Sequence, residues 1–398
     1  MLASRLDESY SVEVRSSLLS MTAAKVAANS AARFAAPFAA TIASGLHADL
    51  ASVGGAIAIG EFAGLTAPML TRLAGRFRRR TAMWVGLVGM AGGAGLAATS
   101  TGIAQFAIAL AVIAITKIVF DLGVIAWLTD RVEYAKVGRA IGLTETAWAV
   151  SLFVGVVLMG LLTGLTSWRW GYLLAIVAIT VMAAVLRQRL PVEPARAVPV
   201  FIARHERPRL GSGWWVIAGT VTLTAAVQSM SVTFGTWLQK DFGFSDTRLA
   251  AVIFGLGAVE FIAASSTVRF LDAWGKQRST MIGMAVVAPA GIVLTLGHRH
   301  LFLGIGALAV FIGAFEFAVL ATLSLSNSLV PSNPSTGLAM MVGAATLGRA
   351  LMSPVATAAF SAHGMWLPSV LGASCATVTW LCHARYRALQ RRGGHADA

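Results

Sequence analysis

Long apolar runs, broken at short intervals by a few polar residues, set the pattern of this chain. Runs near or above the roughly 18–20 residues that cross a bilayer as a helix recur from end to end. They place spans near 22–45, 50–71, 81–100, 103–128, 141–164, 169–187, 213–239, 247–270, 279–297, 301–328, 336–360 and 364–384. The pattern therefore predicts an all-α membrane protein of twelve transmembrane helices. No sustained alternation of period two is present, which argues against a β-barrel. The abundant glycine (40 residues) suits closely packed membrane helices.

The second half of the pattern repeats the first. Gly60-Glu61-Phe62 is echoed by Val259-Glu260-Phe261, Asn29 by Gln228, and Arg33-Phe34 by Thr233-Phe234. Phe120-Asp121 is matched by Phe315-Glu316, and Gly142-Leu143 by Gly337-Leu338, always at an offset of 195 to 200 residues. Such an offset predicts two parallel six-helix repeats with a site at the seam between them. The expected division is 1–188 for an N-terminal six-helix bundle, 189–212 for a basic linker, and 213–398 for a C-terminal bundle with a short tail. Pro191, Pro194, Pro199 and Pro208 keep the linker extended.

Composition agrees. Of 398 residues, 57% are apolar and 12% charged, against roughly 25% charged in soluble domains. The net charge of +14 would suit a nucleic-acid binder, but its distribution excludes that reading. Of the 31 Lys and Arg, 23 fall in the tails and in alternate loops, 4 in the opposite loops (Arg169, Lys240, Arg248, Arg299) and 4 within spans. This is the positive-inside pattern; it places both termini in the cytoplasm and leaves anionic membrane lipid as the partner of the basic face. Asp7, Glu8 and Glu13 are incompatible with a cleaved signal peptide. An Arg-rich, Ala- and Gly-rich composition points to a GC-rich, bacterial source, hence the inner membrane. Cys375 and Cys382 read as small packing residues.

Ionisable side chains inside spans are costly in lipid and therefore mark function by default. Lys25, Asn29 and Arg33 recur every four residues and share one stripe of the first span. Lys117 and Asp121 are also four apart, and either neutralise each other on one helix or serve a cavity. Lys25, near a span end, is expected to snorkel. Arg33 is expected to pair with Glu61 on the next span, and Arg349 with Glu260 within the C-terminal half. Glu316 has no basic neighbour in its own helix and can carry a proton, which fits a coupling role shared with Glu61, Asp121 and Glu260. No P-loop, His-Glu-x-x-His or paired-Cys motif is present. The chain reads as no enzyme, with no cofactor and no metal.

Several motifs carry a family resemblance. Leu271-Asp272-Ala273-Trp274-Gly275-Lys276-Gln277-Arg278 follows span 8, and Thr71-Arg72-Leu73-Ala74-Gly75-Arg76-Phe77-Arg78 follows span 2. Trp168-Arg169-Trp170 lies between spans 5 and 6, and Arg131 through Arg139 between spans 4 and 5. With the long basic central loop, these resemble the major facilitator superfamily, bacterial efflux-type members above all. The first loop lacks the family's Asp, and span 5 has Gly155 and Gly160 but Val156 where the antiporter pattern has proline.

The resemblance implies a secondary transporter working by alternating access as a monomer. Its central cavity would be lined by Asn29, Arg33, Lys117, Asp121, Gln228, Ser231, Thr233 and Glu316. Gating would fall to Arg72, Gly75, Arg76, Asp272, Gly275, Lys276, Arg278 and Arg349. The expected activity is proton-coupled export of a small organic solute. Proton symport uptake of an anionic metabolite, and a transporter-like sensor or assembly partner, are the alternatives.

Overall fold

The computed structural model describes residues 10–66, 78–191, 210–330 and 334–393. Among these residues all regular structure is helical. The N-terminal helices are α1 (Val12–Arg33), α2 (Ala39–Gly45), α3 (Leu50–Gly64), α4 (Arg79–Ala98), α5 (Ile103–Thr129), α6 (Tyr134–Glu145), α7 (Ala147–Val150), α8 (Val157–Leu165) and α9 (Trp168–Arg189). A π-helical turn, Ser151–Val156, joins α7 to α8. The C-terminal helices are α10 (Trp214–Ser231), α11 (Phe234–Phe242), α12 (Asp246–Trp274), α13 (Lys276–Gly297), α14 (Leu301–Leu323), α15 (Ser326–Leu329), α16 (Pro334–His363) and α17 (Trp366–Gly393).

Nine of the described helical stretches are long and apolar enough to cross a membrane. The other three expected crossings fall on helices that miss that measure. α1 carries Glu13, Arg15, Lys25 and Arg33, α3 is described for 15 residues and reaches the measure only together with α2, from which it is bent by 111°, and the apolar run of α17 is diluted by Trp366, Pro368, Ser369, Thr377, Thr379 and His383.

Packing follows the repeat. α4 packs on α5 and on α9, α3 on α5, and α1 on α9; in the same way α13 packs on α14 and on α17, α12 on α14, and α10 on α17. The main contacts between the sets are two, and α2 also meets α11. α3 lies along α16, and α12 lies along α8 and the π turn. Together these contacts form the seam.

The helices start and stop for local reasons. Ser11 caps α1 and Ser245 caps α12 through their side chains. Asp49 caps α3, its carboxylate accepting from Ser52 N at 2.6 Å, and these backbone hydrogen bonds hold its carboxyl below the usual range. Gly275, at φ +77°, makes the sharp break between α12 and α13 that a side chain would strain.

Candidate functional site

The expected ion pairs exist, but with partners exchanged. Arg33, at the end of α1, does not reach Glu61. Its Nη2 donates to Glu260 on α12, at 2.8 Å and 3.0 Å from the two carboxylate oxygens. Arg349 on α16 does not bind Glu260; its Nε donates to Glu61 on α3 at 3.0 Å. Both intra-half pairings are thus corrected to pairings across the seam. The reason is the packing just described: α3 faces α16, and α12 lies against the π turn beside α1, so each carboxylate meets the guanidinium of the other half first.

The two bridges differ in setting. Side-chain exposures are 15% and 9% for Arg33 and Glu260, but 29% and 26% for Arg349 and Glu61. Arg33 is further held by its Nη1, which donates to the Trp148 carbonyl at 2.8 Å, and its guanidinium carbon lies 4.4 Å from the centre of the Trp148 ring. Glu316 on α14 is buried, 5% exposed. α14 packs on α12, the helix that carries Glu260. Among the described residues the Glu316 side chain has no hydrogen-bond partner.

A second cluster joins α1, α5 and α6. Lys25 is buried and does not snorkel: its Nζ lies 2.5 Å from Glu145 and 3.8 Å from Asp121. Lys117 lies 2.5 Å from the other oxygen of Asp121. The i,i+4 pair expected from sequence is therefore present, but Asp121 serves two lysines. Glu145 escaped the sequence reading, although a carboxylate at the start of span 5 was signal enough to find it.

The remaining cavity candidates are separate from both clusters. Asn29 is 1% exposed, and its Oδ1 has no partner. Gln228 donates to Ser353 Oγ at 2.8 Å. The hydroxyls of Ser231 and Thr233 donate to α10 carbonyls, those of Val227 and Ser229. Arg72, Gly75 and Arg76 lie outside the described residues. Asp272 stands on the last turn of α12, and Lys276 and Arg278 are exposed on the first turn of α13. Trp168 is buried against Phe106 and Tyr172. Arg169 lies over the Trp168 ring and donates to the Ser100 carbonyl, so that motif packs the N-terminal helices together. Among the described residues no group of three or more His, Cys, Asp or Glu could hold a metal ion.

At the end of the molecule away from the termini, the seam is closed. Thr41 Oγ1 donates to Asp246 Oδ1 at 2.6 Å, and Gln239 Nε2 donates to the same oxygen at 2.7 Å and to Thr41 at 3.0 Å. Gly54 meets Thr357, Gly164 meets Thr247 and Gly235 meets the Pro37 carbonyl, with no room for a Cβ at any of the three. A cavity of about 450 Å³ beside this closure is lined by Thr41, Ser44, Thr163, Trp168, Gln239 and Asp246. Thr41 and Gln239 are 198 residues apart, inside the repeat offset, which was the available signal for this lock.

Two sets of helices with the same internal packing, joined at a seam crossed by ion pairs, one of them buried, define a membrane transporter of the two-bundle kind. The chain belongs to the Major Facilitator Superfamily, whose pattern it matches over residues 21–357. It is 26% identical over 350 residues to an uncharacterized MFS-type transporter, YwfA of Bacillus subtilis (strain 168), covering 79% of this chain and 77% of that one. Its fold resembles that of a bacterial homolog of the human lysosomal transporter Spinster, inward-facing and unoccupied, with TM-score 0.77 at 14% identity, over 96% of this chain and 97% of that one. It also resembles the human organic anion transporter MFSD10, with TM-score 0.71 at 16% identity, over 93% and 99%. The protein is therefore a multi-pass secondary transporter.

Proposed function

We propose that this protein is a proton-coupled exporter of a small organic solute, working as a monomer in a bacterial inner membrane with both termini in the cytoplasm. The observation that carries the coupling is buried Glu316 on α14, a helix packed on α12, whose Glu260 forms the pair with Arg33 that crosses the seam. A proton arriving at Glu316 changes how much of the Arg33 charge Glu260 commands. It therefore changes how firmly the two halves are held together. The orientation rests on the positive-inside distribution, and export rests on the efflux-type resemblance of the loop motifs. In this orientation the closed end of the seam faces away from the cytoplasm.

The second reading, proton symport of an anionic metabolite, is favoured by Lys25 and Lys117 at Asp121. Protonation of Asp121 would free two ammonium groups for a carboxylate. Inverted membrane vesicles loaded with a pH indicator separate the two readings. Addition of compounds from a mixed cationic, neutral and anionic panel is expected to release protons from acidified vesicles when a substrate enters by exchange. Proton movement in the same direction as an anion supports symport. An absence of compound-evoked proton movement, relative to vesicles without the protein, would overturn both readings.

A further inference from the structure

We infer that Trp148 is the positioning residue for Arg33, holding its guanidinium at the seam so that only the carboxylate contacts change between states. The inference rests on the proposed role of Arg33 and Glu316 in coupling.

Trp148 lies in the four-residue α7, immediately before the π turn Ser151–Val156. A π turn shifts the register of the helix that contains it, and such turns gather at functional sites. Here the turn occupies the segment in which Val156 replaces the proline of the family pattern. It is seated against α1: Ser30 Oγ approaches the Ser151 carbonyl at 3.3 Å, and Gly155 leaves no room for a Cβ beside Ser30. Ser30 is three residues before Arg33, so this contact fixes span 5 relative to the guanidinium.

Arg33 is then held in three ways. Nη2 is on Glu260, Nη1 is on the Trp148 carbonyl, and the flat face lies over the indole. The Trp148 carbonyl also accepts from Ser151 Oγ at 2.6 Å, which orients that acceptor. Only the first of the three holds crosses the seam. The other two are uncharged and belong to the same half as Arg33, so they survive when the halves separate. A role in packing alone would be filled by any large apolar side chain; stacking on a guanidinium needs an aromatic face. The titratable groups of the neighbouring helices are Glu260 on α12, paired with Arg33, and buried Glu316 on α14, which packs on α12. Lys25, two turns earlier on α1, is committed to Glu145 and Asp121.

The test uses the full chain in liposomes, with Cys375 and Cys382 replaced by alanine and spin labels at Ser44→Cys and Asp241→Cys, on opposite halves at the closed end. Protons are the only probe. Between about pH 5.5 and about pH 8 the ratio of the closed to the open distance population is expected to change by about twofold or more. Trp148→Phe should keep that response and Trp148→Leu should lose it, whereas a packing defect would shift the ratio equally at both pH values. A normal response in Trp148→Leu would overturn the inference. If the parent itself shows no response, the coupling reading fails, and the positioning role is decided by melting temperature. Trp148→Leu should lower it when Arg33 is present and leave it unchanged in an Arg33→Gln background. An equal decrease in both backgrounds would overturn the inference.

Discussion

Glu260 of the C-terminal helices takes the guanidinium of Arg33 from the N-terminal helices, with both carboxylate oxygens within 3.0 Å of one nitrogen. The matching residue of the other half, Glu61, takes Arg349 in the reverse direction. Each half therefore offers an acid from corresponding places in the repeat and receives a base in return. An ion pair that crosses the seam must break or rearrange if the halves rock apart, so these pairs bear on the cycle as well as on stability.

The Arg33 bridge is the better buried of the two, and its loss should be the more damaging. Arg33→Ala leaves Glu260 without a partner, and breaking a buried pair in this way costs about 3–5 kcal/mol. We expect transport to be abolished at normal expression. Arg33→Lys should retain part of it if charge alone matters, but it cannot reproduce a flat guanidinium held on three sides. Full transport by Arg33→Ala would remove Arg33 from the site.

The half-buried Arg349–Glu61 bridge is more solvated, which brings its worth nearer the roughly 0–1 kcal/mol of a surface pair than the cost of breaking a buried one. Glu61→Gln should therefore lower the melting temperature less than Glu260→Gln. The paired change Glu61→Arg with Arg349→Glu should recover much of the loss caused by either single change, because α3 and α16 face each other along the seam. Equal destabilisation by Glu61→Gln and Glu260→Gln would contradict the difference in burial.

How much of this was legible in the sequence depends on the scale of the feature. The positions of nine spans were readable because each apolar run must itself cover the bilayer core, and the repeat was readable because Glu61 and Glu260 sit in the same local context. Pairing across the seam was not. Nearness in sequence points Arg33 to Glu61, but sequence carries no measure of which helices face each other between the halves. Distance from a span end points Lys25 to the membrane surface; its burial depends on Glu145, a residue from another helix. The π turn left a trace only as Val156 in place of a proline.

The closed end should yield to single methyl groups. Gly235→Ala and Gly164→Ala place a Cβ against the Pro37 carbonyl and against Thr247 of the opposing half. Neither neighbour can give way while the seam stays shut. Both should increase labelling of a cysteine placed at the buried Ala250 by a water-soluble thiol reagent. Gly55→Ala, which meets nothing within 4 Å, should leave labelling unchanged. Unaltered labelling in Gly235→Ala and Gly164→Ala would show that these glycines do not govern closure.

Asp272 stands one turn before the break at Gly275, in the loop that resembles the family's gating motif. If that resemblance carries its function, Asp272→Asn should slow turnover more than it weakens substrate binding. Cysteine accessibility on the side of the termini should rise at the same time. Unchanged accessibility would leave the loop as a cluster of topogenic charge.

The central claim is that a proton on Glu316 controls the bridge between Arg33 and Glu260. Glu316→Gln keeps the shape of the side chain and removes its titration. Once a substrate has been found with the vesicle panel, the decisive measurement compares two modes of transport in reconstituted Glu316→Gln protein. These are accumulation driven by a proton gradient, and exchange of labelled for unlabelled substrate with no gradient. The account predicts that gradient-driven accumulation falls to the level of protein-free liposomes while exchange persists. Accumulation that still follows the proton gradient in Glu316→Gln would contradict it.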